Sequence, residues 1–143
     1  MEGVWLPYRE EKVMTKQQLA QLSSPLVTIG SHSLTHPHLS KIDEDSARKE
    51  IEGSCIELQN LTGQKVRLFA FPYGDYDASV IDFCKSVGYE FVFSDAPMQI
   101  DTTRPAILRG RIHVDPSDGP LEFFLKCSGA YTWMTYVIPS LKR

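Results

Sequence analysis

The sequence predicts an α/β fold of mostly parallel strands, arranged as an open or incomplete (β/α) barrel. Short runs of β-branched and aromatic residues alternate along the chain with helical patterns, which is typical of parallel β/α units with right-handed crossovers. The 143 residues provide about four such units, fewer than a closed eight-fold barrel requires. We therefore expect residues 1–143 to form a single, partial domain.

The N-terminal part predicts one short helix followed by one strand. Thr15 and Gln18 have the spacing of a capping box, which marks a helix start. The apolar, β-branched run at residues 26–29 predicts a short buried strand, and Gly30 ends it.

The longest predicted helix begins at Asp43, where clustered acids suit the positive end of the helix dipole. It ends at Gly63, a plausible left-handed cap. Lys49, Glu50 and Glu57 lie off its apolar stripe, so we expect them on a solvated face. The remaining predicted elements are, in order, a strand at 66–71, a helix capped by Asp77 and Gly88, strands at 89–93 and 107–114, and a helix from Pro120 to Gly129.

Composition excludes some partners. The formal net charge is -3 and no run of Lys or Arg exceeds two, so we expect no nucleic-acid partner. No apolar stretch is long enough to span a bilayer, and the N-terminus lacks the layout of a signal peptide. For the chain as given, this predicts a cytoplasmic protein.

Three histidines follow the first predicted strand within seven residues. Residues 30–37 read G-S-H-S-L-T-H-P, which places His32 and His36 just past the strand's carboxyl end. Pro37 disfavours helix at His36, so the pair belongs to a loop. Catalytic and metal-binding groups collect in such loops of β/α folds. His38 we predict to be a solvated loop residue.

This string resembles the second motif of the polysaccharide deacetylase family (carbohydrate esterase family four), written H-[ST]-x-x-H-P. The resemblance implies that His32 and His36 are two of three protein ligands to a divalent metal, usually zinc, with an aspartate as the third. Imidazole and carboxylate ligands suit zinc, and three protein ligands leave one position open for water or substrate.

Residues 68–76, L-F-A-F-P-Y-G-D-Y, resemble the family's third motif, commonly R-x-P-Y-G. The resemblance implies that Phe71, Pro72 and Tyr73 wall a sugar groove. It also implies that the backbone N–H of Tyr73 faces the oxyanion of the tetrahedral intermediate, where a preorganised donor stabilises charge. Ala70 stands where many relatives carry an arginine.

Residues 109–114 and 125–131 resemble the closing segments of a variant subgroup of these deacetylases. We hypothesise that Arg111 supplies the charge that Ala70 lacks. His113 is the one later histidine and hence the candidate general acid for the leaving amine. The L-x-H pattern that usually carries that acid is absent, which favours a core or surface role for His113.

The family's first motif, T-F-D-D-G, would supply the general base and the third metal ligand. It is absent here: no two aspartates are adjacent, and no aspartate precedes His32. The chain thus resembles the C-terminal two-thirds or so of a deacetylase, either cut from a longer protein or encoded by a shortened gene.

The resemblance implies metal-assisted hydrolysis of an N-acetyl or O-acetyl group on a glycan, by a domain that is catalytically incomplete as given. Whether the chain is an enzyme stays open. The alternatives are a non-catalytic carbohydrate-binding or assembly module and an inactive orphan fragment. Without the first strand, an exposed sheet edge should favour homo-oligomers.

Overall fold

The computed structural model describes residues 13–22, 26–98 and 106–137, the side chains of 135 and 136 excepted. The helices and strands, in chain order, are α1 (Lys16–Ala20), α2 (Glu44–Thr62), β1 (Leu68–Ala70), α3 (Ala78–Val87), β2 (Phe91–Phe93), β3 (Leu108–Arg109), α4 (Pro120–Cys127) and α5 (Met134–Val137). Two short 3-10 turns, Leu39–Lys41 and Pro72–Gly74, follow the first two predicted strands.

The three strands form one parallel sheet in the order β1-β2-β3. Phe69 pairs with Val92, and Val92 pairs with Leu108. The chain before His32 joins the free side of β1 through a parallel bridge between Ser31 and Phe69. There the Ser31 amide donates to the Leu68 carbonyl at 2.8 Å, and the Ala70 amide donates to the Ser31 carbonyl at 2.9 Å. Within the described ranges the sheet is open and parallel.

The predicted buried strand at residues 26–29 is wrong in its burial and its extent. Leu26 is 93% exposed, and pairing with β1 occurs at Ser31, beyond the predicted strand. An apolar run indicates burial only where another element covers it, and that depends on the tertiary fold. The strand predicted at 107–114 is likewise reduced to β3.

The helix boundaries agree with the capping residues. Thr15 and Gln18 form the predicted capping box of α1. The Asp43 carboxylate accepts from the Ser46 amide at the start of α2, and Asp77 accepts from the Val80 amide at the start of α3. Left-handed glycines end both helices, at positions 63 and 88. These local signals fix the lengths of the two helices that cover the sheet.

The hydrophobic core lies between α2, α3 and the sheet. Its buried members are Leu39, Ala47, Ile51, Cys55, Val66, Phe69, Phe71, Val80, Cys84, Tyr89 and Val92. By contrast, α4 contributes no buried residue, and Cys127 on it is exposed. None of the described helices is long and apolar enough to cross a membrane.

Candidate metal site

Two loops leave the same edge of the sheet. His32 follows the Ser31–Phe69 bridge directly, and the Pro72–Gly74 turn follows the end of β1. Because the pairing is parallel, both loops start at the carboxyl ends of neighbouring strands. The ring centroids of His36 and Tyr73 are accordingly 4.6 Å apart. We call these two loops, residues 32–38 and 71–75, the carboxyl rim.

The tautomer of His32 follows from its partner. Its Nδ1 lies 2.8 Å from the carbonyl oxygen of Ala70. A carbonyl oxygen only accepts, so Nδ1 carries the hydrogen and, in the neutral ring, Nε2 carries a lone pair. That Nε2 lies 3.1 Å from the Nε2 of His36, close enough to accept a hydrogen bond from it when no ion is bound. A backbone carbonyl that holds the distal nitrogen is the usual support of a metal-binding histidine.

The spacing of the two Nε2 atoms fits a shared ion. Zinc–nitrogen bonds of 2.0–2.1 Å in a tetrahedral site place two nitrogens about 3.3 Å apart. The observed 3.1 Å is close to that value. Within the described part of the chain, no group of three or more His, Cys, Asp or Glu residues could hold a metal ion. Among the described residues, the candidate donors are therefore the two imidazoles.

The backbone of the carboxyl rim is held in an unfavourable conformation. Ser33, His36 and Tyr73 have φ values of 66°, 62° and 56°, and they are the three non-glycine residues with positive φ among the described residues. Each such residue costs about 1–3 kcal/mol and persists only where surrounding contacts enforce it. Such residues cluster at functional sites, and here all three lie in the two loops that carry His36 and Tyr73.

Glu50 on α2 supplies contacts of that kind. Its carboxylate accepts from the backbone amides of Leu34 and Thr35, both at 2.8 Å, and from the Thr35 hydroxyl at 2.6 Å. Burial would raise the pKa of Glu50, but the hydrogen bonds from Thr35, Leu34 and Ser33 prevail and lower it. The prediction of a solvated face holds for Lys49 and Glu57, which are exposed, and is incomplete for Glu50, which is half-buried and binds the loop.

Gly53, three residues along α2, lies beside the same loop. A Cβ atom at this glycine would lie 2.8 Å from Cδ1 of Leu34. The glycine thus leaves the space that the Leu34 side chain occupies.

Tyr73 is the aromatic residue exposed at the carboxyl rim. Its side chain is 59% exposed, whereas Phe71 and Pro72 are buried, with Phe71 packed against Phe69 and Tyr76. The side chains of Phe71 and Pro72 support the turn from beneath, which leaves Tyr73 as the exposed aromatic side chain of the turn.

His38 and Asp75 form a second layer under Tyr73. The His38 ring stacks on the Tyr73 ring with centroids 4.1 Å apart. Its Nδ1 is buried without a hydrogen-bond partner among the described atoms and lies 3.7 Å from Oδ2 of Asp75. The Ser40 amide and hydroxyl donate to the same carboxylate. The prediction of a solvated His38 holds only in part: its side chain is 41% exposed, but Tyr73 stacks on its ring and Nδ1 is buried.

Arg111 lies beside the Pro72–Gly74 turn. Its guanidinium donates to Asp95 at 2.6 Å, and a Cβ on Gly74 would lie 3.0 Å from Cβ of Asp95. The charge of Arg111 is thus already paired with a carboxylate. His113 is 86% exposed on its side chain and lies 4.0 Å from Asp115. No hydrogen bond within the described residues joins His113 to His32 or His36.

A family model and a curated relative show what the chain is similar to. The model of the polysaccharide deacetylase family matches residues 7–92. YxkH of Bacillus subtilis (strain 168), whose name places it among the polysaccharide deacetylases, is 19% identical over 103 residues. The match covers 72% of this chain but 37% of YxkH, so this chain spans little more than a third of that relative.

Solved structures establish the fold. The Streptococcus pyogenes deacetylase PplD, in complex with acetate, superposes with a TM-score of 0.71 at 18% identity, covering 79% of this chain and 50% of PplD. A Bacillus cereus polysaccharide deacetylase gives 0.69 at 22%, covering 82% and 37%. A de-N-acetylase from Aggregatibacter actinomycetemcomitans gives 0.66 at 20%, covering 85% and 58%. The predicted incomplete (β/α) barrel is confirmed.

Proposed function

The chain belongs to the polysaccharide deacetylase family, and we propose that its carboxyl rim binds a divalent metal, zinc, together with an acetylated glycan. The observation that carries the proposal is the histidine pair. The two Nε2 atoms are 3.1 Å apart, and the Ala70 carbonyl fixes the tautomer of His32 that points a lone pair at the shared position.

The residues predicted for the site have distinct parts in this proposal. His32 and His36 would hold the ion, which when bound polarises a carbonyl and lowers the pKa of a bound water. Tyr73 offers its exposed ring to a sugar face, and its backbone N–H is the proposed oxyanion donor. Arg111 lies outside the rim, beside that turn, where we propose that its charge is taken up by Asp95. For His113 we propose a surface role, because its ring is exposed and apart from the histidine pair.

The proposed chemistry is incomplete in these 143 residues. No aspartate precedes His32, so the family's general base and third ligand have no counterpart there. A positioned base is worth about 10²–10⁴-fold in rate. We therefore propose weak metal binding and near-background deacetylation by the chain as given.

A second candidate is a carbohydrate-binding module that uses the same rim without hydrolysis. The exposed, stacked ring of Tyr73 favours it, since sugar recognition needs an aromatic face and no base. NMR titration with a chitooligosaccharide distinguishes the two candidates. Binding that is lost in Tyr73→Ala and occurs equally with and without zinc supports the module; binding or slow hydrolysis that requires zinc supports the incomplete hydrolase.

Calorimetry with Zn²⁺ tests the metal site. We expect detectable, weak binding that His32→Ala or His36→Ala abolishes. His113→Ala is the matched control, because it removes an exposed histidine outside the rim and should leave the affinity unchanged. Tight binding that survives His36→Ala, or efficient deacetylation by the unmodified chain, would contradict the proposed ligands or the missing base.

A further inference from the structure

We propose that Glu50 is a positioning residue that fixes the loop in which His32 and His36 can share one ion. This inference rests on the proposed metal site and deepens it. The residues that Glu50 binds, Leu34 and Thr35, lie between the two histidines in the chain.

The Glu50 carboxylate binds the two residues in the middle of the loop. Its Oε2 accepts from both the Leu34 and the Thr35 amide, and its Oε1 accepts from the Thr35 hydroxyl. These are hydrogen bonds to an ionised acceptor, which are shorter and stronger than neutral ones. They fix the orientation of two consecutive peptide planes, and therefore the direction in which the chain carries His36 back toward His32.

The same face of α2 holds the loop at its start. Ser54 lies four residues after Glu50, and its hydroxyl is 2.6 Å from that of Ser31, the residue before His32. Residues three and four apart share one helix face. Glu50, Gly53 and Ser54 thus contact residues 31–35 along one line. The helix itself is rigidly placed, since Ile51 and Cys55 are buried in the core.

The loop needs such support because two of its residues have an unfavourable backbone conformation. Ser33 and His36 both have positive φ, and the intervening residues have to join two unfavourable conformations. Without Glu50 the loop would relax to more favourable angles. The two Nε2 atoms would then no longer be held at one ion's spacing.

The test compares zinc affinity and NMR signals across variants of α2. In Glu50→Ala we expect a 10–100-fold weaker zinc affinity, the usual cost of losing support behind a ligand. The amide protons of Leu34 and Thr35 should shift upfield. Glu50→Gln keeps an acceptor oxygen and should recover part of the affinity. Glu52→Ala, at an exposed position of the same helix, should change neither quantity.

Several outcomes would overturn the proposal. Unchanged zinc affinity in Glu50→Ala, with shifted Leu34 and Thr35 amides, would do so. If Glu50→Ala fails to fold, Thr35→Val is the second variant, because it removes only the hydroxyl donor. Thr35→Val should weaken zinc binding several-fold, and an unchanged zinc affinity overturns the proposal.

A failure of zinc binding in the unmodified chain would refute the metal site but not the role of Glu50 in the loop. That role is then read from the imidazole ¹⁵N signals of His32 and His36 without metal. Shifts in Glu50→Ala, absent in Glu52→Ala, support it, and unchanged imidazole signals overturn it.

Discussion

Residues 39–96 and residues 106–137 differ in whether their apolar side chains are buried. Every buried hydrophobic side chain of the described residues lies between Leu39 and Ala96. In the later part, α4 exposes Leu121, Phe123 and Phe124. Both parts have helices with clear sequence signals, yet among the residues that the structure describes only the first part has a second layer that covers its helices. An amphipathic pattern therefore predicts a helix without predicting that its apolar face is buried.

The largest expected difference is between two phenylalanines, one from each part. Phe69 is fully buried against Phe71 and Tyr89, so Phe69→Ala should lower the free energy of unfolding by about 3–5 kcal/mol. Phe124 is 65% exposed, and Phe124→Ala should change it by less than about 0.5 kcal/mol. Urea denaturation measures both. Equal losses would mean that α4 buries its apolar face in solution.

A glycine at the junction of the two parts should have the next largest effect. A Cβ on Gly110 would lie 2.2 Å from the carbonyl oxygen of Ala96, so backbone has to move to admit it. We expect Gly110→Ala to cost about 1–3 kcal/mol and to increase proteolysis after β3. Gly119→Ala is the matched control, since nothing lies within 4 Å of its Cβ position. Equal protease resistance in both variants would refute a tight junction.

The difference in helix capping between the two parts should have a smaller effect on the free energy of unfolding. Asp77 caps α3 with its side chain, whereas Gly119 at the start of α4 makes no side-chain cap. Asp77→Ala should cost about 1 kcal/mol in thermal or urea unfolding, and Asp77→Asn should retain most of the stability because Asn also caps well. An Asn variant as unstable as the Ala variant would argue against capping as the cause.

The smallest expected effect is a dependence on pH through the same residue. The hydrogen bonds from the Val80 amide and Ser79 lower the pKa of Asp77 against the opposing effect of burial. Its stabilising contribution is thus complete above the unfolded-chain pKa of about 3.9 and is lost as the pH falls through the lower folded value. Asp77→Asn should flatten the stability profile in that acid range. An unchanged slope there would assign the acid sensitivity to other carboxylates.

The parts of the fold that could be predicted are those set by neighbours in sequence. Asp43 with Gly63 and Asp77 with Gly88 mark helix ends because a cap acts within one turn. The burial of residues 26–29 could not be predicted in that way, because it depends on whether another element covers them.

The residues of the candidate site differ in the same way: some could be predicted from their neighbours in sequence and others could not. His32 and His36 could be found from their spacing within the string G-S-H-S-L-T-H-P. Glu50 could not, because a charge off an apolar stripe normally points to solvent, and its partner Thr35 is 15 residues away. Asp75 binds Ser40 across 35 residues, with only its place after P-Y-G as a signal.

The space at Gly53 bears on both thermal stability and the arrangement of the rim. An interior helical glycine costs about 1 kcal/mol relative to alanine. Alanine would recover that amount, and its methyl group would meet Cδ1 of Leu34 at 2.8 Å. The Leu34 side chain is flexible and 46% exposed, so it can turn away without moving the histidine loop. A library selected for heat resistance alone would thus favour alanine here, and scoring metal affinity in parallel would show whether the loop keeps its arrangement.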